Sequence, residues 1–428
     1  MRSNLIVIVG LGLIPLTGGA VAGAEARLGK TIGLLTAGRE PVRIVCFGDS
    51  ITGVYYHTGG RRAWCDMLGI ALQRIYPKAK LQMVNAGISG HTTAKGLERI
   101  ERDVLAKKPH LVVVMFGMND VVGVPRATFA ENLRTIVRRC RGVGAEVMLC
   151  TPNSIYPEDA RRPVERLAAF AEMVRVVAGE MAVPLVDCYA AYEATRAKDR
   201  RAWMLLMSET IHPNMNGHKA FAEQIAFVLS GKRVALGDVR PLEPSIPHTL
   251  ALLSQDKPIK LIAMAPYDRI VARVLAELNP KSKIDLVRWP TQGKSLADLE
   301  RWAKGVRDQN PNLVVVAVPP DLVAANVEAF IRSYSWVLNW SMSFGRSAWD
   351  VVAVLPSVTD RGLSARHQAT ADLARRVVIG QDIGFIERAA GETDSPEQVV
   401  RRWFRATVRP TSLRPGRPGA QSRSLRAR

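Results

Sequence analysis

Residues 43–50 read RIVCFGDS, a short apolar run that leads directly into Gly48-Asp49-Ser50. Comparable runs recur along the first half of the chain at LQMVN (81–85), LVVVMF (111–116), EVMLCT (146–151) and residues 184–187. Most are continuous and rich in β-branched residues, which is typical of parallel strands covered on both faces. Because amphipathic, helix-period segments separate them, we predict an open three-layer α/β/α domain with a parallel sheet.

The second half repeats this pattern after a charged, proline-rich segment at residues 237–258, which we interpret as a linker. The new strand candidates are KLIAMA (260–265), IDLVRW (284–289), LVVVAV (313–318) and DVVAVL (350–355). We therefore expect a second, similar α/β domain at residues 259–408 and hypothesise an internal duplication. The alternative is that any two parallel-sheet domains look alike at this level of detail.

The N-terminus has the pattern of an export signal. Arg2 precedes an apolar run from Leu5 to Leu16, and small residues then lead to Ala22-Gly23-Ala24. We predict that residues 1–24 are a signal peptide, that the first domain covers residues 25–236, and that the protein is periplasmic or extracellular. An uncleaved membrane anchor is the alternative, and Pro15 disfavours it by interrupting the helix that a bilayer requires.

The composition is that of a globular protein. At 428 residues, with 47% hydrophobic and 23% charged residues, the chain is long enough for two domains with their own cores. The five cysteines follow no C-x-x-C spacing, so we expect buried thiols with at most one incidental disulfide bond and no structural zinc site.

The formal net charge of +20 raises the hypothesis of binding to nucleic acids or anionic surfaces. The arginines are spread over many helices, however, and no basic motif interleaved with aromatic residues is present. Six of them lie in residues 409–428, a tail rich in Pro, Gly and Ser that we predict to be disordered. We expect weak binding of this tail to anionic surfaces and no specific nucleic-acid partner.

Four short segments carry the candidate chemistry, three of them directly after predicted strands and one before the last helix of the first half. They are Gly48-Asp49-Ser50, Asn85-Ala86-Gly87, Gly117-Met118-Asn119-Asp120 and Glu209-Thr210-Ile211-His212-Pro213. The carboxyl edge of an open α/β sheet is where ligands bind. Each segment alone is a weak signal, but the four in this order are a strong one.

Over about residues 41–230 the chain resembles the SGNH (GDSL-type) hydrolases, which are named after four residues that correspond here to Ser50, Gly87, Asn119 and His212. The resemblance implies a flavodoxin-like fold in which the serine attacks an ester or amide carbonyl and the histidine takes its proton. It also implies an oxyanion hole formed by the Ser50 N–H, the Gly87 N–H and the Asn119 side chain, with no metal or organic cofactor.

The residue types suit these roles. A serine hydroxyl needs a base within hydrogen-bond reach, and histidine titrates near neutral pH. A glycine lets its N–H approach a substrate oxygen without a Cβ in the way. An amide donor such as that of Asn119 contributes about 3–4 kcal/mol to transition-state stabilisation. Pro213 favours an extended conformation for His212, and Asn214 or Asn216 is expected to cap the next helix.

One position departs from the family pattern. The family usually has an aspartate three residues before the histidine, where this chain has Glu209. A glutamate is one methylene longer but can still reach an imidazole, so we predict a triad of Ser50, His212 and Glu209. The alternative is that Glu209 is a surface loop residue.

Other polar residues near these segments are weaker candidates. Ser89 lies in a sequence similar to G-x-S-x-G, but His91 replaces the last glycine. We therefore interpret Ser89 as a loop residue, and we expect His57 and His91 either to line the cleft or to be exposed. His212 and His218 lack H-E-x-x-H spacing, which argues against a zinc hydrolase. The two aspartates within the segments are expected to stabilise loops: Asp49 and Asp120.

The second half lacks the catalytic set, because Ser50, Gly87 and Asn119 correspond there to other residue types. The corresponding residues are Tyr267, Pro290 and Asp321. We predict that this domain is not catalytic, and we leave open whether it binds a carbohydrate, dimerises or shapes the cleft. The oligomeric state is equally open.

The first half predicts an exported esterase acting on small-molecule or glycan esters. The export signal favours deacetylation of an exported polysaccharide, and an aromatic content of only 6% argues against long acyl chains. A lipase or lysophospholipase, and an inactive binding protein of the same fold, are the alternatives.

Overall fold

The computed structural model describes residues 27–322, 326–360, 362–389 and 391–408. The predicted signal peptide at residues 1–24 and the predicted tail at residues 409–428 lie outside the described residues. Within the described part of the chain, no helix is both long and apolar enough to span a bilayer.

The first sheet contains five parallel strands, in the order β2-β1-β3-β4-β5. They are β1 (Pro41–Gly48), β2 (Lys80–Gly87), β3 (Leu111–Met115), β4 (Glu146–Cys150) and β5 (Leu185–Val186). All five strands were predicted from the sequence. β3 is buried along its whole length, as its run of valines indicates.

The helices of the first domain connect these strands. They are α1 (Gly29–Ala37), α2 (Trp64–Ile75), α3 (Thr93–Asp103), α4 (Asp120–Gly123), α5 (Arg126–Gly142), α6 (Val164–Glu180), α7 (Cys188–Lys198), α8 (Arg200–Met204) and α9 (Met215–Ser230). The predicted apolar face of α5 is confirmed, since Phe129, Leu133 and Ile136 are buried. Fully burying a side chain of this size stabilises the fold by about 1.5–3 kcal/mol.

The second sheet also contains five parallel strands, in the order β10-β9-β8-β6-β7. They are β6 (Ile259–Met264), β7 (Ile284–Trp289), β8 (Leu313–Val316), β9 (Asp350–Val354) and β10 (Gly384–Ile386). The predicted fold class, two similar α/β domains with parallel sheets, is confirmed. β10 was missed because three residues are too few to form an apolar run.

The helices of the second domain flank this sheet. They are α10 (Pro247–Ser254), α11 (Tyr267–Leu278), α12 (Leu296–Ala303), α13 (Val327–Ser341), α14 (Pro356–Thr359), α15 (Ala365–Gly380) and α16 (Pro396–Val408). α10 lies inside the segment at residues 237–258 that was interpreted as a linker. Its backbone N–H groups at His248 and Thr249 donate to the carboxylate of Asp350, at 3.3 and 2.6 Å, which attaches the helix to β9.

A buried ion pair joins the two domains. The guanidinium of Arg62 donates two hydrogen bonds of 2.7 Å to the carboxylate of Asp382, and both side chains are almost completely buried. Removing one partner of such a pair leaves a buried charge without compensation.

The five cysteines are buried and their thiols are free. Burial raises the pKa of the Cys140 thiol to about 12.

Candidate active site

A tight turn after β1 carries Ser50. A Cβ at Gly48 would lie 2.2 Å from Thr52 Oγ1 and 2.4 Å from the Met115 carbonyl oxygen, so only glycine fits there. The carboxylate of Asp49 accepts the Ile51 N–H at 2.9 Å, and the Asp49 carbonyl accepts two more N–H groups of the turn. Asp49 therefore stabilises the loop, as predicted.

Ser50, His212 and Glu209 form a continuous chain of contacts. Ser50 Oγ lies 2.8 Å from His212 Nε2. On the other side of the ring, the Glu209 carboxylate contacts His212 Nδ1 and accepts the His212 backbone N–H at 2.9 Å. A carboxylate at Nδ1 favours the tautomer with a proton on Nδ1, which leaves Nε2 free to accept the serine proton. The structure thus brings together the three residues of the predicted triad despite the longer Glu209 side chain.

The turn that carries His212 is closed by backbone hydrogen bonds. The Ser208 N–H donates to the His212 carbonyl at 2.9 Å, and Met207 pairs with Pro213 in an antiparallel bridge. Asn214 then caps α9 by accepting the N–H groups of Asn216 and Gly217. Of the two asparagines considered from the sequence, Asn214 is the cap.

Gly87 is the last residue of β2 and pairs with Gly48, which lies two residues before Ser50 and also pairs with Met115. A Cβ at Gly87 would lie 2.2 Å from the Gly53 nitrogen, so this close approach requires glycine. The Gly87 N–H donates to Asn85 Oδ1 at 3.0 Å. A substrate oxygen bound at Gly87 must share or replace this acceptor.

Asn119 lies in the loop after β3. Its Nδ2 donates to the His91 carbonyl at 3.1 Å, and since an amide nitrogen carries two hydrogens, one remains for a substrate oxygen. Its Oδ1 lies 3.4 Å from the guanidinium of Arg162, which also donates to the Met118 carbonyl at 2.9 Å. The neighbouring Asp120 accepts the N–H and hydroxyl of Thr93, which confirms its role in stabilising the loop.

Two arginines that support the site were missed from the sequence. Arg99 on α3 donates to the carbonyls of Gly48 and Ala86, each at 2.8 Å, and so ties the ends of β1 and β2 together. Arg162 orients Asn119 as described. Neither arginine belongs to a recognisable motif, and nothing in their spacing distinguishes them from the many surface arginines.

Three histidines pack together next to Ser50: His212, His57 and His218. The His57 ring is completely buried and stacks on the His212 ring, with the centroids 4.5 Å apart and the planes at 11°. His218 lies 5.5 Å from His57 and accepts the Trp64 N–H through Nδ1. Desolvation lowers the pKa of His57 well below its usual value and that of His218 to about 3, so both rings are neutral at neutral pH.

His57 is therefore buried rather than exposed, and it contacts the base. His91 is partly buried and contributes its carbonyl to Asn119, as described above. Ser89 is a loop residue, as interpreted, and its N–H donates to Tyr55 Oη at 2.8 Å.

Aromatic rings from both domains form the edge of the site. The Tyr56 ring lies 6.0 Å from the His212 ring, and Phe344 from the second domain lies 5.7 Å from Tyr55 and 5.8 Å from Tyr56. The Phe344 carbonyl accepts the Tyr56 N–H at 3.2 Å, which fixes the contact. The Phe344 side chain is nevertheless 54% exposed, so this ring is available to a ligand.

Burial also perturbs Asp49, whose carboxylate lies close to the nucleophile. Desolvation raises the pKa of Asp49 to about 7, although the Ile51 N–H and the nearby His212 oppose the shift. Asp49 therefore titrates near neutral pH in the folded protein.

Part of the chain is similar to known proteins. Residues 46–220 match the model of the GDSL-like Lipase/Acylhydrolase family. An acetylxylan esterase of Geobacillus stearothermophilus is 29% identical over 174 residues, which cover 36% of this chain and 77% of that protein. Esterase TesA of Pseudomonas aeruginosa is 35% identical over 109 residues, which cover 25% of this chain and 52% of that protein.

Among solved structures, a lipase/acylhydrolase from Enterococcus faecalis is 27% identical, with a TM-score of 0.40, and the match covers 46% of this chain and 98% of that one. The family match extends over residues 46–220, which carry Ser50, Gly87, Asn119, Glu209 and His212. Residues 46–220, somewhat less than half of the chain, therefore resemble a GDSL-like lipase/acylhydrolase domain.

Proposed function

We propose that Ser50, His212 and Glu209 are a catalytic triad that cleaves carboxylic esters through an acyl-serine intermediate. The observation that carries this proposal is the chain of contacts from Ser50 Oγ to His212 Nε2, at 2.8 Å, and from His212 Nδ1 to Glu209. A serine within hydrogen-bond reach of an oriented imidazole is an activated nucleophile.

The reaction follows from this arrangement. Ser50 Oγ attacks the ester carbonyl carbon while His212 Nε2 takes the hydroxyl proton. The tetrahedral intermediate then collapses, the C–O bond to the alcohol breaks, and His212 returns the proton to the leaving alcohol. A water molecule, deprotonated by His212, attacks the acyl-serine and releases the acid. Glu209 holds the imidazole and stabilises its positive charge.

Three donors support stabilisation of the oxyanion. The Ser50 N–H makes no backbone hydrogen bond in the described part of the chain. Asn119 has one amide hydrogen to spare, and the Gly87 N–H becomes available when the substrate oxygen displaces Asn85 Oδ1. Donors directed at the developing charge are usually the largest single contribution to this type of catalysis.

The proposed substrates are acetyl esters of carbohydrates. The matched relative from Geobacillus stearothermophilus is named an acetylxylan esterase. The half-exposed ring of Phe344, packed on Tyr55 and Tyr56, offers a flat apolar surface on which a sugar ring can stack. Because Glu209 reaches His212, the replacement of the usual aspartate no longer favours an inactive binding protein.

Export is part of the proposal and is supported by the sequence of residues 1–24 alone, with its basic start, apolar run and A-x-A pattern. The arginine-rich residues 409–428 support weak binding to anionic surfaces.

Hydrolysis assays on the purified full-length protein test the proposed activity. We expect turnover of 4-nitrophenyl acetate and of acetylated xylo-oligosaccharides, with less turnover of the palmitate ester. Ser50→Ala should abolish hydrolysis of all these esters. Ser89→Ala, the matched control in a neighbouring loop, should retain wild-type hydrolysis. Full activity in Ser50→Ala would refute the triad, and a preference for palmitate would refute the proposed substrate class.

A further inference from the structure

We propose that the second domain positions the acid–base turn of the first domain, and that Asn339 is the positioning residue. The acid–base turn is residues 208–212, which carry Glu209 and His212. This inference rests on the proposed triad and adds a role for residues 259–408, which retain the parallel-sheet architecture but not the reactive side chains.

Asn339 lies on α13 of the second domain and is completely buried. Both ends of its amide bind Ser208: Nδ2 donates to the Ser208 carbonyl at 2.9 Å, and Oδ1 lies 2.9 Å from the Ser208 hydroxyl. A buried asparagine is costly unless its amide is hydrogen-bonded. Since both of these partners belong to the first domain, the presence of a polar residue here is explained by the contact between domains.

Gln381 strengthens the same contact. It is completely buried at the end of α15, and its Oε1 lies 3.1 Å from the Ser208 hydroxyl. The single hydroxyl hydrogen is thus shared between two side-chain oxygens of the second domain. Ser208 is held through its carbonyl by one residue and through its hydroxyl by two.

Ser208 transmits this restraint to the reactive groups. Its N–H donates to the His212 carbonyl at 2.9 Å, and Glu209 is the next residue in the chain. The backbone atoms that place both members of the acid–base pair are therefore attached to a residue that the second domain holds.

The residues flanking Gln381 also contact the first domain. Gly380 approaches the amide of Asn214, the cap that follows His212, so closely that a Cβ would lie 2.6 Å from Nδ2. Asp382 forms the buried ion pair with Arg62. Three consecutive residues of the second domain thus contact the first domain, at Asn214, Ser208 and Arg62.

Such a restraint has kinetic consequences, because a displacement of about 1 Å at a reacting group costs on the order of 100-fold in rate. Asn339 touches no reacting atom, so its loss should affect the chemical step rather than substrate binding.

The test uses the full-length protein with 4-nitrophenyl acetate as the substrate. In Asn339→Leu, which has similar volume but no polar group, we expect kcat to fall about 10- to 100-fold, with KM within about twofold of wild type. The matched control is Glu328→Gln, which removes the negative charge that pairs with Arg200 of the first domain at 3.0 Å and lies about three turns from Asn339 on the same helix. It should keep wild-type kcat and KM.

A second variant tests the same contact in case Asn339→Leu does not fold. Ser208→Ala removes only the hydroxyl, and we expect a drop in kcat of about fivefold or more. Both substitutions break the same hydrogen-bond network. The fold reduction of kcat in the double variant should therefore be smaller than the product of the two single reductions. If both single variants fold and keep kcat within twofold of wild type, or if KM rises instead, the positioning role is refuted. An inactive wild-type protein would refute the proposed function itself.

Discussion

The two sheets have the same strand order, but they differ at the edge where ligands bind. β1 runs into Gly48 and the serine turn, whereas β6 runs into Ala265-Pro266 and the buried Tyr267. β2 ends at Gly87 with a usable N–H, whereas β7 is followed by Pro290, which has none. The architecture therefore provides an edge in both domains, while the few residues at the ends of the strands decide whether that edge carries chemistry.

In the second domain, the residue that corresponds to Ser50 is Tyr267. Its ring is buried and its hydroxyl lies 2.9 Å from Thr359 Oγ1, a contact within the second domain. The polar residues with which the second domain contacts the acid–base turn lie elsewhere, at Asn339 and Gln381. The second domain, which has no serine turn, thus contributes to the site through its interface with the first domain.

Breaking the interface should produce the largest change in stability. We expect Arg62→Leu to lower the free energy of unfolding by about 3–5 kcal/mol, because Asp382 would remain buried without its partner. Urea unfolding measures this loss. The double variant Arg62→Leu/Asp382→Leu should recover part of it, and a loss no larger than about 1 kcal/mol in Arg62→Leu would contradict a buried ion pair at the interface.

The serine turn contains the buried Asp49, and through this group the free energy of unfolding should depend on pH. Because burial raises the pKa of Asp49 to about 7, the folded state keeps a proton that the unfolded state releases near pH 4. The stability due to Asp49 is thus complete at low pH and is lost as the pH rises through 7.

Asp49→Asn should keep the hydrogen bond from Ile51 but cannot titrate. We expect the stability of this variant, relative to wild type, to rise by about 4 kcal/mol between pH 4 and pH 8, because a shift of one pKa unit corresponds to about 1.4 kcal/mol. Chemical denaturation at several pH values measures it, and parallel curves for the two proteins would be inconsistent with a protonated Asp49.

A smaller effect is expected from the aromatic contribution of the second domain to the site. Phe344→Ala should raise KM for acetylated xylo-oligosaccharides about fivefold, because the sugar loses its stacking surface, while KM for the small ester ethyl acetate should change little. Val143→Ala, which changes an exposed apolar residue directly after the end of α5, is the control. Equal KM values for the oligosaccharide in all three proteins would show that the substrate does not reach Phe344.

Much of the architecture followed from the sequence because its signal is local. Continuous apolar runs, most of them rich in β-branched residues, identified nine of the ten strands found in the described residues, and the short β10 gave no such run. Ser50, Gly87, Asn119 and His212 could be selected because each follows a strand or precedes a helix in a recognisable order.

The supporting contacts could not be predicted, since they join residues that are distant in the chain and have no spacing rule. Arg99 reaches the carbonyl of Gly48, and Asn339 reaches Ser208 from another domain. His57 was considered for the cleft, but its stacking on His212 depends on how the two loops fold together.

Labelling with a fluorophosphonate, followed by mass spectrometry of the digested protein, tests the central claim most directly. We expect one covalent adduct on the Ser50 hydroxyl, no adduct in Ser50→Ala, and much slower labelling in His212→Ala, where the base is missing. An adduct on another residue in the wild-type protein, or equal labelling rates with and without the imidazole, would contradict it.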